Sequence, residues 1–154
     1  MITFEAAVLS FIQHLAEDVG STDTSLQKEL AHSISGATSD FEEAETLSKI
    51  ARWESGFDPK VANCKIKSSR GAVSLFQIMP KDKEHSLKLC ASIDDSAKEA
   101  LSIIRTAKGW CSPMGYKGAD LLEPYVRGKC GKATMLSKMR YGKGDQIKKY
   151  MEEG

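Results

Sequence analysis

Residues 52–59 read RWESGFDP, and the glutamate at position 54 is the feature of this stretch that needs an explanation. The stretch ends a segment whose apolar residues recur three and four positions apart, which is the spacing of an amphipathic helix. Glu54 continues the apolar stripe of Leu47 and Ile50, and Gly56 then ends the helix. The stretch therefore predicts a helix that carries a carboxyl group on its buried side.

A carboxyl group in apolar surroundings holds its proton more tightly, because burial disfavours the charged form and raises the pKa. A glutamic acid that is still protonated near neutral pH can act as a general acid. The alternative is that Glu54 lies at a frayed helix end and turns into solvent, as most glutamates do. Glu54 is the candidate catalytic residue of this sequence.

Size and composition indicate one ordinary globular domain. The chain has 154 residues, of which 41% are hydrophobic and 28% charged, and these values exclude disordered and fibrous proteins. We find no apolar window of about 18 residues that would span a membrane. The first residues include Glu5, Glu17 and Asp18 and have no basic start, so they do not resemble a secretory signal.

Charge is distributed unevenly along the chain. Residues 1–58 contain 3 Lys/Arg and 11 Asp/Glu, whereas residues 59–154 contain 19 Lys/Arg and 10 Asp/Glu. The second part therefore suits a polyanionic partner, and the alternative is a solvated basic face. No nucleic-acid-binding motif accompanies the basic residues, so we expect no nucleic-acid partner.

The four cysteines, Cys64, Cys90, Cys111 and Cys130, have wide and uneven spacing. Without a C-x-x-C pair a zinc site is not expected, and the sequence predicts no metal and no cofactor. Three pairings are possible, and the sequence does not choose among them. Disulfides are expected if the protein works outside a cytoplasm, and reduced thiols if it stays inside.

The apolar periodicity predicts a mostly helical chain with one irregular region. Residues 61–79, with Gly71, paired serines and short β-branched runs, predict loops and a small hairpin. Two capping boxes are expected, Ser39 with Glu42 and Ser96 with Glu99. The predicted helices lie near residues 4–15, 24–34, 40–55, 82–91, 95–108, 119–127, 131–140 and 145–152.

Three blocks of sequence together resemble a known superfamily. The first is Glu54-Ser55 with the aromatic and proline that follow it, the second is GAVSLFQIMP at 71–80, and the third is MRYGKGDQIKKY at 139–150. In this order they resemble the lytic transglycosylase and goose-type lysozyme superfamily. That superfamily has a Glu-Ser pair, a Gly-Ala-x-Gly-Leu-x-Gln-x-x-Pro segment and a Tyr-Asn-Ala-Gly helix start.

The resemblance implies a mainly α, lysozyme-like (α+β) fold, with a small β or loop region beside a glycan-binding cleft. We expect a single domain over residues 1–154. Its catalytic core would be residues 37–154, and residues 1–36 would be a helical extension packed on that core.

The resemblance also implies a reaction, the cleavage of peptidoglycan glycan strands between N-acetylmuramic acid and N-acetylglucosamine. Glu54 would protonate the glycosidic oxygen and then accept the proton of the muramic acid 6-hydroxyl, which closes a 1,6-anhydro ring. The acetamido group of the sugar would stabilise the cation, so no second carboxylate is needed.

Two alternatives stay open beside this lytic transglycosylase. A hydrolysing muramidase needs a second acid to orient water; residues 61–79 contain no Asp or Glu, although Asp58 and Asp82 flank them. A non-catalytic peptidoglycan-binding module would fit the two departures from the superfamily pattern, Ser74 and Gly142, which stand where it has Gly and Asn. The absence of Asp and Glu from residues 61–79 favours the transglycosylase over the hydrolysing muramidase.

Five residues are candidates for binding substrate on the strength of the resemblance, and all but Ser74 have a structural alternative. Gln77 would line the cleft or satisfy buried peptide groups, and Tyr141 would contact Glu54 or the acetamido group, or pack in the core. Phe76 would stack on sugar or lie in the core, and Ser55 would support the helix end rather than act as a nucleophile. Ser74 would modify a close backbone approach to the substrate.

The expected partner is the peptidoglycan glycan strand. We expect the protein to be a monomer that does not insert stably into a membrane. A chain made in the cytoplasm without a signal peptide would reach the bacterial cell wall after release, as a phage endolysin does. Transport in a virion or through a secretion apparatus is the other expectation.

Overall fold

The structure is a computed structural model that describes the backbone of residues 1–111 and 142–154, and the side chains of residues 1–106 and 142–154. The described part is mostly helical, as predicted. The helices predicted near residues 119–127 and 131–140 lie outside the described residues. The seven described helices are α1 (Phe4–Val19), α2 (Thr24–Ala37), α3 (Phe41–Ser55), α4 (Pro59–Ala62), α5 (Lys83–Ala91), α6 (Ile93–Cys111) and α7 (Asp145–Glu153).

Helix α3 begins at a different cap from the one predicted. The side chain of Asp40 accepts a hydrogen bond from the backbone N–H of Glu43 at 2.8 Å, so Asp40 rather than Ser39 is the N-cap. Aspartate and serine are both good N-caps, and the pattern alone does not separate neighbours one residue apart. The prediction of a Ser39–Glu42 capping box is therefore wrong by one position.

The second predicted capping box is also wrong. Helix α6 begins at Ile93, and the hydroxyl of Ser92 accepts a hydrogen bond from the N–H of Asp95 at 3.3 Å. Ser96 therefore lies inside the helix, where it is buried and donates a hydrogen bond to the carbonyl of Leu89 at 2.8 Å. This bond joins α6 to the end of α5.

One hydrophobic core unites the described helices. Helix α1 contacts α2, α3 and α7, and α2 also contacts α6. Buried side chains from α1 and α2, among them Phe11 and Leu30, belong to the same cluster as Leu47 and Ile50 of α3. The boundary predicted at residue 36 stays a prediction, but the first two helices clearly share the core that supports α3.

The irregular region between α4 and α5 contains the small hairpin that was predicted. Val73 and Ile78 form an antiparallel bridge, with both N–H···O distances at 3.0 Å. A disulfide joins Cys64 to Cys90, so the segment that contains the hairpin is closed into a covalent loop. Among the described helices, none combines the length and apolar character needed to span a membrane.

Candidate active site

Glu54 lies in the last turn of α3, at the end of the apolar stripe that the sequence indicated. Leu47, Ile50 and Ala51 of this stripe are completely buried, and Glu54 is half-buried. The helix ends at Gly56, which has a left-handed φ of 60° and whose N–H donates to the carbonyl of Arg52 at 2.9 Å. The end of the helix therefore fixes where the Glu54 backbone stands.

Further contacts hold this helix end in place. The hydroxyl of Ser55 donates to the carbonyl of Ala51 at 2.6 Å, which agrees with a role in supporting the helix end. The guanidinium carbon of Arg52 lies 4.6 Å from the ring centroid of Trp53, and an Arg52 nitrogen lies 3.9 Å from a carboxylate oxygen of Asp18 in α1. The predicted role of Ser55 in substrate binding stays a prediction.

The hairpin turn contains three of the other predicted site residues. Ser74 and Gln77 both have left-handed backbone conformations, with φ of 67° and 49°. The backbone N–H and the side-chain amide of Gln77 donate to the carbonyl of Ser74, at 3.0 and 2.8 Å. Gln77 is half-buried and stabilises the turn through its amide, which agrees with the structural alternative for this residue. Its contact with glycan stays a prediction.

Ser74 stands where the superfamily pattern has glycine, and it adopts the backbone conformation that favours glycine. That conformation costs an ordinary L-residue about 1–2 kcal/mol. The Ser74 hydroxyl is 3.0 Å from the hydroxyl of Ser96 in α6, and this buried hydrogen bond holds the turn against the core. Ser74 is 0% exposed, so a direct contact with substrate does not agree with its position.

Phe76 also departs from its predicted role. Its side chain is 0% exposed and belongs to the hydrophobic core together with Leu75 and Ile78. An aromatic ring without exposed surface cannot stack on a sugar, so the core alternative describes this residue. Its apolar neighbours explain the burial, because the hairpin packs on the same core as α3.

The two acids that flank the hairpin region both serve as helix N-caps. The carboxylate of Asp58 accepts from the N–H of Lys60 at 2.8 Å, at the start of α4. The carboxylate of Asp82 accepts from the N–H of His85 at 2.7 Å, at the start of α5. Both side chains therefore have local structural roles that explain their presence.

The third sequence block is attached to the same helix that carries Glu54. Tyr141 lies outside the described residues, but Gly142 follows it and is buried. The N–H of Gly142 donates to the hydroxyl of Thr46 at 3.1 Å, and that hydroxyl donates to the carbonyl of Gly142 at 3.2 Å. Helix α3 thus holds residue 142 near its start and presents Glu54 at its end.

Glu45 is a buried residue that the sequence reasoning missed. It is 2% exposed, and its carboxylate accepts from the N–H groups of Gln146 and Ile147 in the first turn of α7, at 3.2 and 3.4 Å. Burial raises the pKa of Glu45, and the hydrogen bond from Ile147 acts in the opposite direction. Nothing in the local pattern of α3 indicated this contact, because its partners lie about a hundred residues further along the chain.

The two glycines of the third block are required by close packing. A Cβ on Gly142 would lie 2.6 Å from the Cβ and Cγ of Glu45, and a Cβ on Gly144 would lie 2.8 Å from the backbone nitrogen of Glu42. Gly144 also has a φ of 86°, which favours glycine. The asparagine of the superfamily pattern therefore has no room at position 142 beside Glu45.

A separate pocket lies between the start of α2, α4 and the junction of α5 with α6. It has a volume of about 320 Å³, and Asp23, Glu29, Pro59, Asn63 and Ser92 are among its lining residues. None of the predicted site residues lines it. Within the described ranges, no three His, Cys, Asp or Glu side chains are grouped to hold a metal ion.

Comparison with protein families gives a match over most of the chain. The model of the transglycosylase SLT domain matches residues 32–147, a range that contains Glu54, the hairpin and Gly142. The match begins in α2, slightly before the core boundary predicted at residue 37. Comparisons with curated proteins and with solved structures gave no significant match.

Proposed function

This chain belongs to the transglycosylase SLT domain family, and from that premise we propose that it is a lytic transglycosylase that uses Glu54 to cleave the glycan strands of bacterial peptidoglycan. Family membership supports activity of the peptidoglycan lytic transglycosylase type. It also agrees with the mainly helical, lysozyme-like fold that the sequence predicted.

One observation supports Glu54 most directly as the catalytic group. Glu54 stands half-buried at the end of a stripe of fully buried apolar residues, whereas Asp58, the other acid of the first sequence block, is the N-cap of α4. Such a site favours a carboxyl group that exchanges a proton with a substrate, since it is partly withdrawn from water and still within reach.

In the proposed reaction Glu54 acts first as an acid and then as a base. Its proton passes to the glycosidic oxygen, the bond from that oxygen to C1 of N-acetylmuramic acid breaks, and the acetamido group stabilises the positive charge. Glu54 then takes the proton of the 6-hydroxyl while O6 bonds to C1. The products are an N-acetylglucosamine end and a 1,6-anhydro end, water is not consumed, and Glu54 regains its proton.

The capping roles of Asp58 and Asp82 favour this outcome over hydrolysis. An inverting hydrolase needs a second carboxylate roughly 6.5–9.5 Å from the acid to orient a water molecule. In the described part of the chain, the two acids that flank the hairpin region are both engaged as N-caps. A hydrolysing muramidase is the second candidate, and of the acids that flank the hairpin region it would use Asp58 or Asp82.

The two departures from the superfamily pattern do not favour a non-catalytic module. Ser74 adopts a left-handed backbone conformation of the kind that favours glycine, and Gly142 makes room for Glu45. The Cys64–Cys90 disulfide supports a place of action outside the cytoplasm, because disulfides persist in oxidising compartments.

The test is product analysis on purified peptidoglycan. Mass spectrometry of the digest should show muropeptides that are lighter by one water than hydrolysis products, because the 1,6-anhydro ring forms without water. A Glu54→Gln variant should lose roughly 10²–10⁴-fold in rate, the usual contribution of a general acid or base. Glu17→Gln, which changes an exposed glutamate of α1, is the matched control.

Each outcome has a defined meaning for the proposal. Reducing ends in the digest would assign the chain to the hydrolase. Equal rates for wild type and Glu54→Gln would show that Glu54 is not the catalytic acid. No products from the folded wild type would support the non-catalytic module.

A further inference from the structure

The excess of positive charge in the described part of the chain is confined to one structural unit, residues 59–91, which we call the basic module. It contains seven Lys/Arg and two Asp/Glu. Residues 1–58 carry 3 Lys/Arg and 11 Asp/Glu, and the cations and acids of residues 92–106 and 142–154 nearly balance. The described charge is therefore segregated by structure and not scattered along the chain.

Every cation of the basic module is exposed, and none forms an ion pair within the described residues. The two acids of the module, Asp82 and Glu84, are exposed too, and Asp82 is used as the N-cap of α5. Seven unpaired cations keep their full electrostatic potential for a partner in solution. They are Lys60, Lys65, Lys67, Arg70, Lys81, Lys83 and Lys88.

The same module exposes large aliphatic side chains. Ile66 is 47% exposed, Met79 is 56% exposed and Leu87 is 63% exposed. Only two other large hydrophobic residues in the described part are comparably exposed, Met1 and Val19. Exposed aliphatic groups next to unpaired cations are typical of surfaces that lie on a lipid bilayer.

The segments that carry these side chains are held next to one another. The Cys64–Cys90 disulfide joins the early part of the module to the end of α5, with 5.6 Å between the two cysteine Cα atoms. The N–H of Ile66 donates to the carbonyl of Lys60 at 3.0 Å, and the N–H of Ser68 donates to the carbonyl of Ala72 at 3.2 Å. The segments that carry the cations therefore belong to one folded unit, which is closed by a covalent bond.

We propose that the basic module is a docking surface for an anionic phospholipid membrane. Its cations would lie against the lipid headgroups, and Ile66, Met79 and Leu87 would enter the interface between headgroups and acyl chains. The mixture of charge and aliphatic surface favours a membrane over a soluble polyanion, for which the exposed aliphatic groups would have no use. Docking of this kind is peripheral, in keeping with the absence of a membrane-spanning helix among the described residues.

Docking through the basic module would hold Glu54 and Gln77 close to the membrane. Glu54 precedes the basic module by five residues, and Gln77 lies within it. A protein held on a membrane by this module would work at the layer of wall nearest that membrane. The proposal goes beyond the proposed function and does not depend on it, because membrane binding requires no catalysis.

The experiment is sedimentation of the full chain with phosphatidylcholine vesicles that contain or lack phosphatidylglycerol. We expect binding only with phosphatidylglycerol, and weaker binding at high salt because the charges are exposed. Each basic residue near an anionic bilayer contributes about 1 kcal/mol, which is roughly fivefold, so Lys65→Gln with Lys67→Gln should reduce partitioning by about 25-fold.

Matched variants distinguish binding by the basic module from binding that depends only on the net charge of the chain. Lys148→Gln with Lys149→Gln removes the same charge from exposed positions on α7, and we expect a change of less than threefold there. Ile66→Ser should reduce the binding that persists at high salt. The Glu54→Gln variant should bind vesicles as the wild type does, so a failed catalytic proposal leaves this test intact.

Three results would overturn the proposal. They are no sedimentation with phosphatidylglycerol vesicles, an equal loss in the α7 control, and capture by soluble polyphosphate without capture by vesicles. Apart from Glu54→Gln, these substitutions lie at exposed positions, and unchanged thermal unfolding of each variant establishes that a loss of binding is not a loss of folding.

Discussion

The packing of Gly142 against α3 gives the sharpest test of how the third sequence block is held. Gly142 has no positive φ, so an alanine there is opposed by lack of space and not by its backbone conformation. The added Cβ would lie 2.6 Å from Glu45 Cβ and Cγ and 2.8 Å from the backbone carbon of Glu45. Because the backbone and Cβ are among these atoms, rotating the Glu45 side chain cannot relieve the clash.

The cost of Gly142→Ala follows from two terms. Overpacking a tight site costs about 1–3 kcal/mol. If the chain moves away instead, it stretches the two hydrogen bonds between Thr46 and Gly142, each of which contributes about 0.5–1.5 kcal/mol. We expect a loss of about 2–4 kcal/mol in the free energy of unfolding. For a chain of this size that corresponds to a fall in Tm of roughly 5–15 °C.

Gly36→Ala is the matched control for this substitution. A Cβ on Gly36 meets nothing within 4 Å, and the residue lies near the end of α2. Alanine is the better helix former and reduces the entropy of the unfolded chain, so this variant should gain up to about 1 kcal/mol. Differential scanning calorimetry of both variants measures the difference. A difference of 2–3 °C in Tm corresponds to about 1 kcal/mol in the free energy of unfolding. If the Tm of Gly142→Ala lies within this difference of the Tm of Gly36→Ala, the close contact with Glu45 does not exist.

Three further predictions concern the acids and the disulfide. The double variant Asp58→Asn with Asp82→Asn keeps both N-caps, because asparagine caps helices as well as aspartate does. A transglycosylase should therefore keep its rate on peptidoglycan within about threefold. A hundredfold fall would instead identify one of the two residues as a second catalytic acid. Burial raises the pKa of Glu45 above its ordinary value of 4.5, so the folded chain binds more protons than the unfolded chain above that pH, and its stability falls as pH rises through the folded pKa. Glu45→Gln cannot ionise, so its stability relative to wild type in urea unfolding should increase as pH rises from about 4 to 7; a difference that does not vary with pH contradicts the raised pKa. Replacing Cys64 and Cys90 by serine opens a covalent loop between residues 26 positions apart, which should lower the free energy of unfolding by about 3 kcal/mol. A reductant should lower the Tm of the wild type more than that of this variant.

Much of the fold was predictable from the sequence because helix periodicity is a local property. The stripe of Leu47, Ile50 and Ala51 predicted both the course of α3 and the position of Glu54 at its end. Gly71 and Pro80 bracketed the segment in which the structure places its hairpin. Each of these inferences needs only residues within a few turns of one another.

The failures of prediction involve partners that are distant in sequence, or helix caps that were placed one to four positions away from the observed cap. The caps at Asp40 and Ser92 displace the predicted Ser39 and Ser96 because several neighbouring side chains can each accept the same kind of hydrogen bond. Phe76 and Ser74 were candidates for binding substrate, with a core position as the alternative for Phe76, but the hairpin turns both inward against α6 and the core. A period of two cannot show which face of so short a hairpin is buried.

The sequence by itself predicted six of the seven described helices, all but α4, together with the hairpin segment and the family of the chain, since these depend on local periodicity and on the order of short motifs. Tertiary structure alone decided the pairing of Cys64 with Cys90, the burial of Ser74 and Phe76, and the contact of Glu45 and Thr46 with the start of α7. The physical reason is that these contacts join residues from 22 to about 100 positions apart. Their geometry exists only after the helices have packed.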